Sequence, residues 1–142
     1  MLDADCIVAG TLARSGAASR LLDLWQSGDF ELIACSQLIR EVREALLGPR
    51  IRRRYGIPTA EVEDLCRRLE EEAIWLNDPR DPPRIVPNDS NDDYLVALAL
   101  EGQADVLVRR DRHFDGVAVP GLRIVFPGVV VAELEEHQGS EP

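Results

Sequence analysis

The sequence predicts an α/β domain built on a mostly parallel sheet, and three observations predict it. Short apolar runs alternate with amphipathic stretches of helical period. The chain has 142 residues and 45% hydrophobic content, which suffices for one domain with a sizeable core. Acidic residues fall at the ends of the apolar runs or at adjoining helix starts, where parallel α/β sheets place their ligand sites.

Residues 2–9 read as a buried first strand running into a loop. This stretch carries Asp3 and Asp5, two acids where a strand normally places apolar side chains. Two apart on an ideal strand, they would share one face. An ionised carboxylate in such a place needs a compensating partner, and a metal ion is one. Residues 11–16 read as a loop. Residues 17–26 place Leu21, Leu22, Leu24 and Trp25 at helical spacing, with Gly28 as the stop. Residues 30–35 are a second strand. Ser36 reads as the N-cap of a helix through Leu47, ended by Gly48-Pro49. On it Leu38, Val42, Ala45 and Leu46 share a face, Glu41 lies at the edge of that face, and Glu44 points nearly opposite.

Arg50, Arg52, Arg53 and Arg54 form a short basic run. It reads either as a solvated helical face pairing with nearby acids or as a contact for phosphate or a partner. Thr59 caps a helix to about Ala73, with Val62, Leu65, Cys66 and Leu69 inward and its Glu and Arg residues paired on the surface. Residues 77–87 are a Pro-rich loop within the domain. Ser90-Asn91-Asp92-Asp93 opens a helix to about Leu100 or Glu101, and Gly102 ends it. Residues 105–108 and 122–125 are the third and fourth strands, and Pro127 starts a last helix to about Glu136. The domain is expected to span 1–137, with a polar tail at 138–142.

Composition narrows the function classes. A formal net charge of −10 argues against a broad basic face of the kind that binds duplex DNA non-specifically. All 16 basic residues are arginine. The lack of lysine removes Walker A phosphate loops, Schiff-base chemistry and lysine general bases, while arginine still offers bidentate phosphate recognition. His113 and His137 are too few for a histidine-rich metal site. Cys6, Cys35 and Cys66 form no CxxC pair and read as buried free thiols in a reducing cytoplasm. No apolar stretch approaches the ~20 residues of a membrane span, and the N-terminus carries no secretory pattern. A cytoplasmic location away from the membrane is expected.

Asp3 and Asp5, Glu41, Asp93 and Asp111 lie where the carboxyl edge of the sheet is expected. Converging there, they would form a hard oxygen site suited to Mg²⁺ or Mn²⁺. Such an ion activates water and stabilises charge in an in-line attack on a phosphodiester. Most of these acids also have a plain structural role. Asp93 completes Ser-x-x-Asp, a capping-box variant, and Asp92 is a first-turn acid. Asp89 suits an N-cap or loop, Glu41 a helix boundary and Asp111 a turn. Asp3 is the least explained structurally, because a strand interior offers it no helix to cap.

Leu-Asp-Ala-Asp-Cys-Ile-Val at 2–8, Ser-Gly-Ala-Ala-Ser-Arg-Leu-Leu-Asp-Leu-Trp at 15–25 and Ser-Gln-Leu-Ile-Arg-Glu-Val at 36–42 stand in a recognisable order. Asn-Asp-Ser-Asn-Asp-Asp-Tyr-Leu-Val-Ala-Leu-Ala at 88–99, Ala-Asp-Val-Leu-Val-Arg-Arg-Asp-Arg-His-Phe at 104–114 and Pro-Gly-Leu-Arg-Ile-Val at 120–125 continue it. Together they resemble the PIN-domain ribonucleases, and within them the VapC-like toxin components of toxin–antitoxin pairs. The resemblance implies a three-layer α/β/α sandwich and Mg²⁺- or Mn²⁺-dependent endonuclease action on RNA. It also implies a homodimer and a cognate antitoxin whose C-terminal segment covers the groove.

By the same resemblance the metal-binding acids map onto Asp3, Glu41, Asp93 and Asp111, and Asp89 falls where related sequences often carry another acid. Asp3 and Asp93 would hold the metal, with Glu41 and Asp111 helping to hold it or to position the attacking water. Arg109, Arg110, Arg112 and His113 sit beside these acids, as phosphate contacts or as a solvated turn. The family usually has Asp-x-Asn or Asp-x-Ser at the first motif, and here the third residue is Asp5. This extra carboxylate would support a second metal, repel substrate, or keep one acid protonated, since close like charges raise a pKa. Asp-x-Asp after a strand also resembles the first motif of haloacid dehalogenase phosphatases, with Asp3 as nucleophile and Asp5 as acid/base. Those enzymes commonly need a later lysine, which this chain lacks. A third reading, motivated by Asp5 and the acidic charge, is a non-catalytic PIN-like binding module.

Overall fold

The structure, a computed structural model, describes residues 1–86, 92–110 and 112–140, with the side chains of 138–140 excepted. Its first element corrects the sequence reading. Residues 2–9 are not a strand: helix α1 spans Ala4–Leu12. Only Leu2 pairs with the sheet, in a single parallel bridge to Val108. Around it Val108 N donates to Met1 O at 2.8 Å and Asp3 N donates to Val108 O at 2.9 Å. Asp3 then turns the chain. Its extended backbone and short acceptor side chain make it the N-cap of α1, with Oδ1 accepting from Cys6 N at 2.6 Å. Asp5 sits in the first helical turn, where the helix dipole favours an acid. Asp3 and Asp5 therefore share no strand face.

The remaining helices follow the sequence pattern closely. Helix α2 (Ala17–Gln26) buries Leu21, Leu22, Leu24 and Trp25. Strand β1 is Ile33–Ala34, shorter than the expected 30–35. Helix α3 (Ser36–Leu47) begins at Ser36, so Cys35 rather than Ser36 occupies the cap position. It buries Leu38, Ile39, Val42 and Leu46, leaves Glu41 half-buried and exposes Glu44 and Ala45. Helix α4 (Pro49–Tyr55) carries the arginine run and ends at Gly56, whose φ of 59° suits a residue without Cβ. Helix α5 (Thr59–Glu72) buries Val62, Cys66 and Leu69, and Pro58 rather than Thr59 holds its cap position. Strand β2 (Ile74–Trp75) was not expected. Helix α6 spans Asp93–Glu101 and closes at Gly102. Ser90 and Asn91, which would complete the expected helix opening, lie outside the described residues. Strand β3 is Val106–Val108, a 3₁₀ turn covers Arg112–Phe114, and strand β4 is Arg123–Val125. Helix α7 runs Pro127–Ser140, past the expected end near Glu136.

The architecture is α/β with small parallel sheets. β1 pairs with β2 in the register Ile33↔Ile74, and β3 pairs with β4 in the register Leu107↔Ile124. Leu2 lies on the other side of β3 from β4. Parallel pairing requires long crossovers: helices α3 to α5 lie between β1 and β2, and residues 109–122 lie between β3 and β4. One continuous hydrophobic cluster joins both pairs to the helices, including Leu2, Ile7, Leu21, Leu38, Leu98 and Leu107. Cys6, Cys35 and Cys66 are buried in it as free thiols. Among the described residues no helix is long and apolar enough to cross a membrane.

Candidate metal centre

Asp3 stands where the first chain segment leaves β3. It is 2% exposed, and both its carboxylate oxygens are engaged by backbone amides. Oδ1 accepts from Cys6 N at 2.6 Å, and Oδ2 accepts from Arg110 N at 2.9 Å. The second bond ties the start of α1 to the residue two positions after β3. A carboxylate oxygen has two lone pairs, so an amide on each oxygen orients the group and still leaves acceptor capacity.

Asp93 opens α6 and is also 2% exposed. It takes two amides on one oxygen: Oδ1 accepts from Ile85 N at 2.9 Å and from Val86 N at 2.7 Å. Oδ2 then has no hydrogen-bond donor among the described residues. Glu41, one turn into α3, accepts at Oε2 from Tyr94 Oη at 2.6 Å. The residue beside Asp93 thus holds the acid contributed by α3. Burial, and then the hydrogen bond to Glu41, push the Tyr94 phenol far above its ordinary range, so it remains a donor. Tyr94 carries no signal of this role in the sequence, because it fits the apolar face of α6 and its partner is 53 positions away.

The other expected residues take different places. Asp5 is exposed on α1, with Oδ2 3.9 Å from Arg110 Nη1. Arg109 does not face solvent. It is 5% exposed, ion-paired with Asp115, and stacked 4.2 Å over the centroid of the Phe126 ring. Its Nε has no hydrogen-bond partner among the described residues. Arg110 and Arg112 are exposed. His113 Nδ1 lies 3.5 Å from Asp92 Oδ2, which ties the 3₁₀ turn to the start of α6. Asp89 and Asp111 lie outside the described residues.

Among the described residues no three His, Cys, Asp or Glu side chains gather closely enough to cage an ion. Mg²⁺ does not require a cage, since it takes one or two carboxylates and completes its shell with waters and substrate phosphate. The donors present meet that demand. Asp3 and Asp93 offer buried hard oxygens fixed by backbone amides, and Asp93 Oδ2 accepts no hydrogen bond among the described residues. Sulfur is absent from the set: the Cys6 thiol, beside Asp3, is pushed up to about 12 by burial and by the Asp3 charge.

Residues 1–113 match the family model of the PIN domain, which takes in Asp3, Glu41 and Asp93 and covers well over half of the chain. A comparison with curated proteins finds no match. The match favours the PIN reading of Asp3-Ala4-Asp5 over the phosphatase one. PIN domains are in general nucleases that use divalent metal ions. The chain belongs to the PIN-domain family.

Proposed function

We propose that this PIN domain is a metal-dependent endoribonuclease and the toxin of a toxin–antitoxin pair. The observation that carries the reading is the pair of buried carboxylates, Asp3 and Asp93, each held by two backbone amides. Buried acids are costly unless hydrogen bonds and opposite charge compensate them, and a divalent cation supplies that charge. Asp3 and Asp93 would hold Mg²⁺ or Mn²⁺, with Glu41 and Asp111 completing the set and Asp5 and Asp89 as candidate further ligands. When bound, the ion lowers the pKa of a coordinated water and neutralises charge on the phosphate.

The chain's own residues supply orientation. The amides of Cys6, Arg110, Ile85 and Val86 fix the two carboxylates before substrate arrives, so no reorganisation is needed at reaction. Tyr94 holds one oxygen of Glu41. The exposed guanidinium of Arg110, beside Asp5, is suited to a phosphate oxygen. Arg109 acts inside the fold and not on substrate.

Within this reading the two parallel strand pairs are parts of one central sheet in a three-layer α/β/α sandwich. The Leu2 bridge, which extends the β3–β4 pair by one segment, supports this. The protein acts in the cytoplasm, as its buried free thiols suit, and forms a homodimer. Its overall charge of −10 favours a basic inhibitory segment on the antitoxin.

The test is incubation of the purified protein with mixed single-stranded RNAs in Mn²⁺, in Mg²⁺ and in EDTA. Cleavage that requires metal is the expected result. RNA left intact in every condition while Mn²⁺ binds would turn the assignment toward the binding module.

A further inference from the structure

A cleft of about 810 Å³ lies along α1, between that helix and the corner where α3 meets α4. Its inner wall is apolar, with Val8 and Leu12 of α1 facing Ile51 of α4. Its exposed edge carries Arg50, Arg54 and Tyr55 from α4 and Arg110 from the loop after β3, together with the acids Asp5 and Glu44. Arg110 is also the residue whose amide holds Asp3. The cleft therefore begins beside a candidate metal ligand and follows a helix of nine residues, roughly 13 Å.

The arginines of α4 differ from seven others on the chain. Arg20, Arg43, Arg67, Arg68, Arg109, Arg110 and Arg123 all lie within 4 Å of a carboxylate oxygen. Arg50, Arg52, Arg53 and Arg54 make no ion pair among the described residues. Arg52 donates instead to the neutral Thr59 Oγ1 at 3.0 Å, and the Arg54 guanidinium lies 5.6 Å from the centroid of the Tyr55 ring. Among the described residues the run is thus not a face ion-paired with nearby acids. It is a cluster of four arginines on a chain of net charge −10, with a 46% exposed aromatic ring at its end.

We infer that this cleft is a subsite for single-stranded RNA flanking the phosphate at Asp3. Arg50 and Arg54 take backbone phosphates, and one base stacks on Tyr55. The assignment rests on the nuclease reading. Its support is continuity: Arg110, whose amide holds Asp3, also lines the cleft, so a strand with one phosphate at Asp3 can run on into it. An exposed ring beside planar guanidinium groups is a sequence-tolerant stacking platform, which an unpaired base can reach and a duplex cannot.

The experiment is fluorescence anisotropy of the full chain with a fluorescein-labelled pool of random single-stranded RNA. EDTA is present so that nothing is cut, and salt is varied. Wild type is compared with an Arg50→Glu/Arg54→Glu double variant and with Tyr55→Ala. All three positions are exposed, and circular dichroism melts confirm folding. The double variant should bind tenfold or more weakly, and its plot of log affinity against log salt should flatten by about 1.4, for two phosphate contacts. Tyr55→Ala should weaken binding about tenfold without changing that slope. Unchanged affinity and slope in both variants would overturn the subsite. So would a wild-type protein that ignores RNA and binds polyglutamate, which would assign the cleft to an acidic protein partner. RNA that binds through these residues but is never cut with Mn²⁺ rejects the nuclease reading and keeps the subsite. RNA cut by a protein whose variants bind normally does the reverse.

Discussion

Asp3 and Asp93 are equally buried, and their carboxylates are held in different ways that set different outcomes for the same substitution. Asp93 accepts both amides on one oxygen. An Asn side chain can present its carbonyl to the same two donors and turn its NH₂ to the position of Oδ2. Asp93→Asn should therefore fold within about 1 kcal/mol of wild type and lose metal binding. Asp3 accepts one amide on each oxygen, so Asn places an NH₂ against an N–H. Asp3→Asn should cost roughly 1–3 kcal/mol, read as a lower urea midpoint. A melting temperature that rises in Asp3→Asn would contradict this account of how the acid is held. Tyr94→Phe removes the donor on Glu41 and should lower stability by about 1 kcal/mol, with a drop in cleavage rate larger than any change in KM. At this scale the acids themselves were visible in the sequence by type and order. Their holders were not, because backbone amides of Arg110, Ile85 and Val86 leave no residue signature, and Asp3 was read without the helix it caps.

At the scale of elements, α1 shows where a sequence pattern fails. Cys6, Ile7 and Val8 are consecutive and all buried, and an apolar run of that length is as consistent with a buried helix as with a strand. Helices with one apolar face, such as α2 and α5, were legible from their period, and so was the stop at Gly102. Strands of two or three residues, such as β2 with both side chains exposed, are too short to carry an alternation. The packing of α1 on α2 can be tested at Gly10. A Cβ there would meet the Ala18 carbonyl oxygen at 2.6 Å. Gly10→Ala should thus destabilise by roughly 1–3 kcal/mol despite alanine's better helix propensity; a stabilised variant would mean that the two helices are farther apart. Arg109 plays the corresponding part beyond β3. Its amide bonds Val125 O at 2.9 Å while its side chain grips Asp115 and covers Phe126. Arg109→Ala should lower the urea midpoint by the equivalent of roughly 1–3 kcal/mol, through lost packing as well as lost charge.

For the whole molecule, the core carries a pH dependence of its own. Burial pushes the Cys35 thiol up to about 11, and Cys6 stands at about 12. The unfolded chain ionises these thiols near 9, while the folded chain keeps them protonated. Their contribution is fully present below about pH 9 and is lost as pH rises through 11 and 12, at about 1.4 kcal/mol per unit per thiol within each window. Urea unfolding at rising pH should show the midpoint falling above 9, and iodoacetamide at neutral pH should label the thiols only on unfolding. A flat profile to pH 11 would place the thiols in solvent. Under the proposed function, Asp3 at the cap of α1 and Asp93 at the start of α6 hold one divalent ion. Mn²⁺ titration followed by electron paramagnetic resonance, on wild type and Asp93→Asn, tests it most directly. Wild type should bind Mn²⁺, and the variant, melting like it, should bind at least tenfold more weakly. Equal Mn²⁺ affinity in the two folded proteins would contradict it.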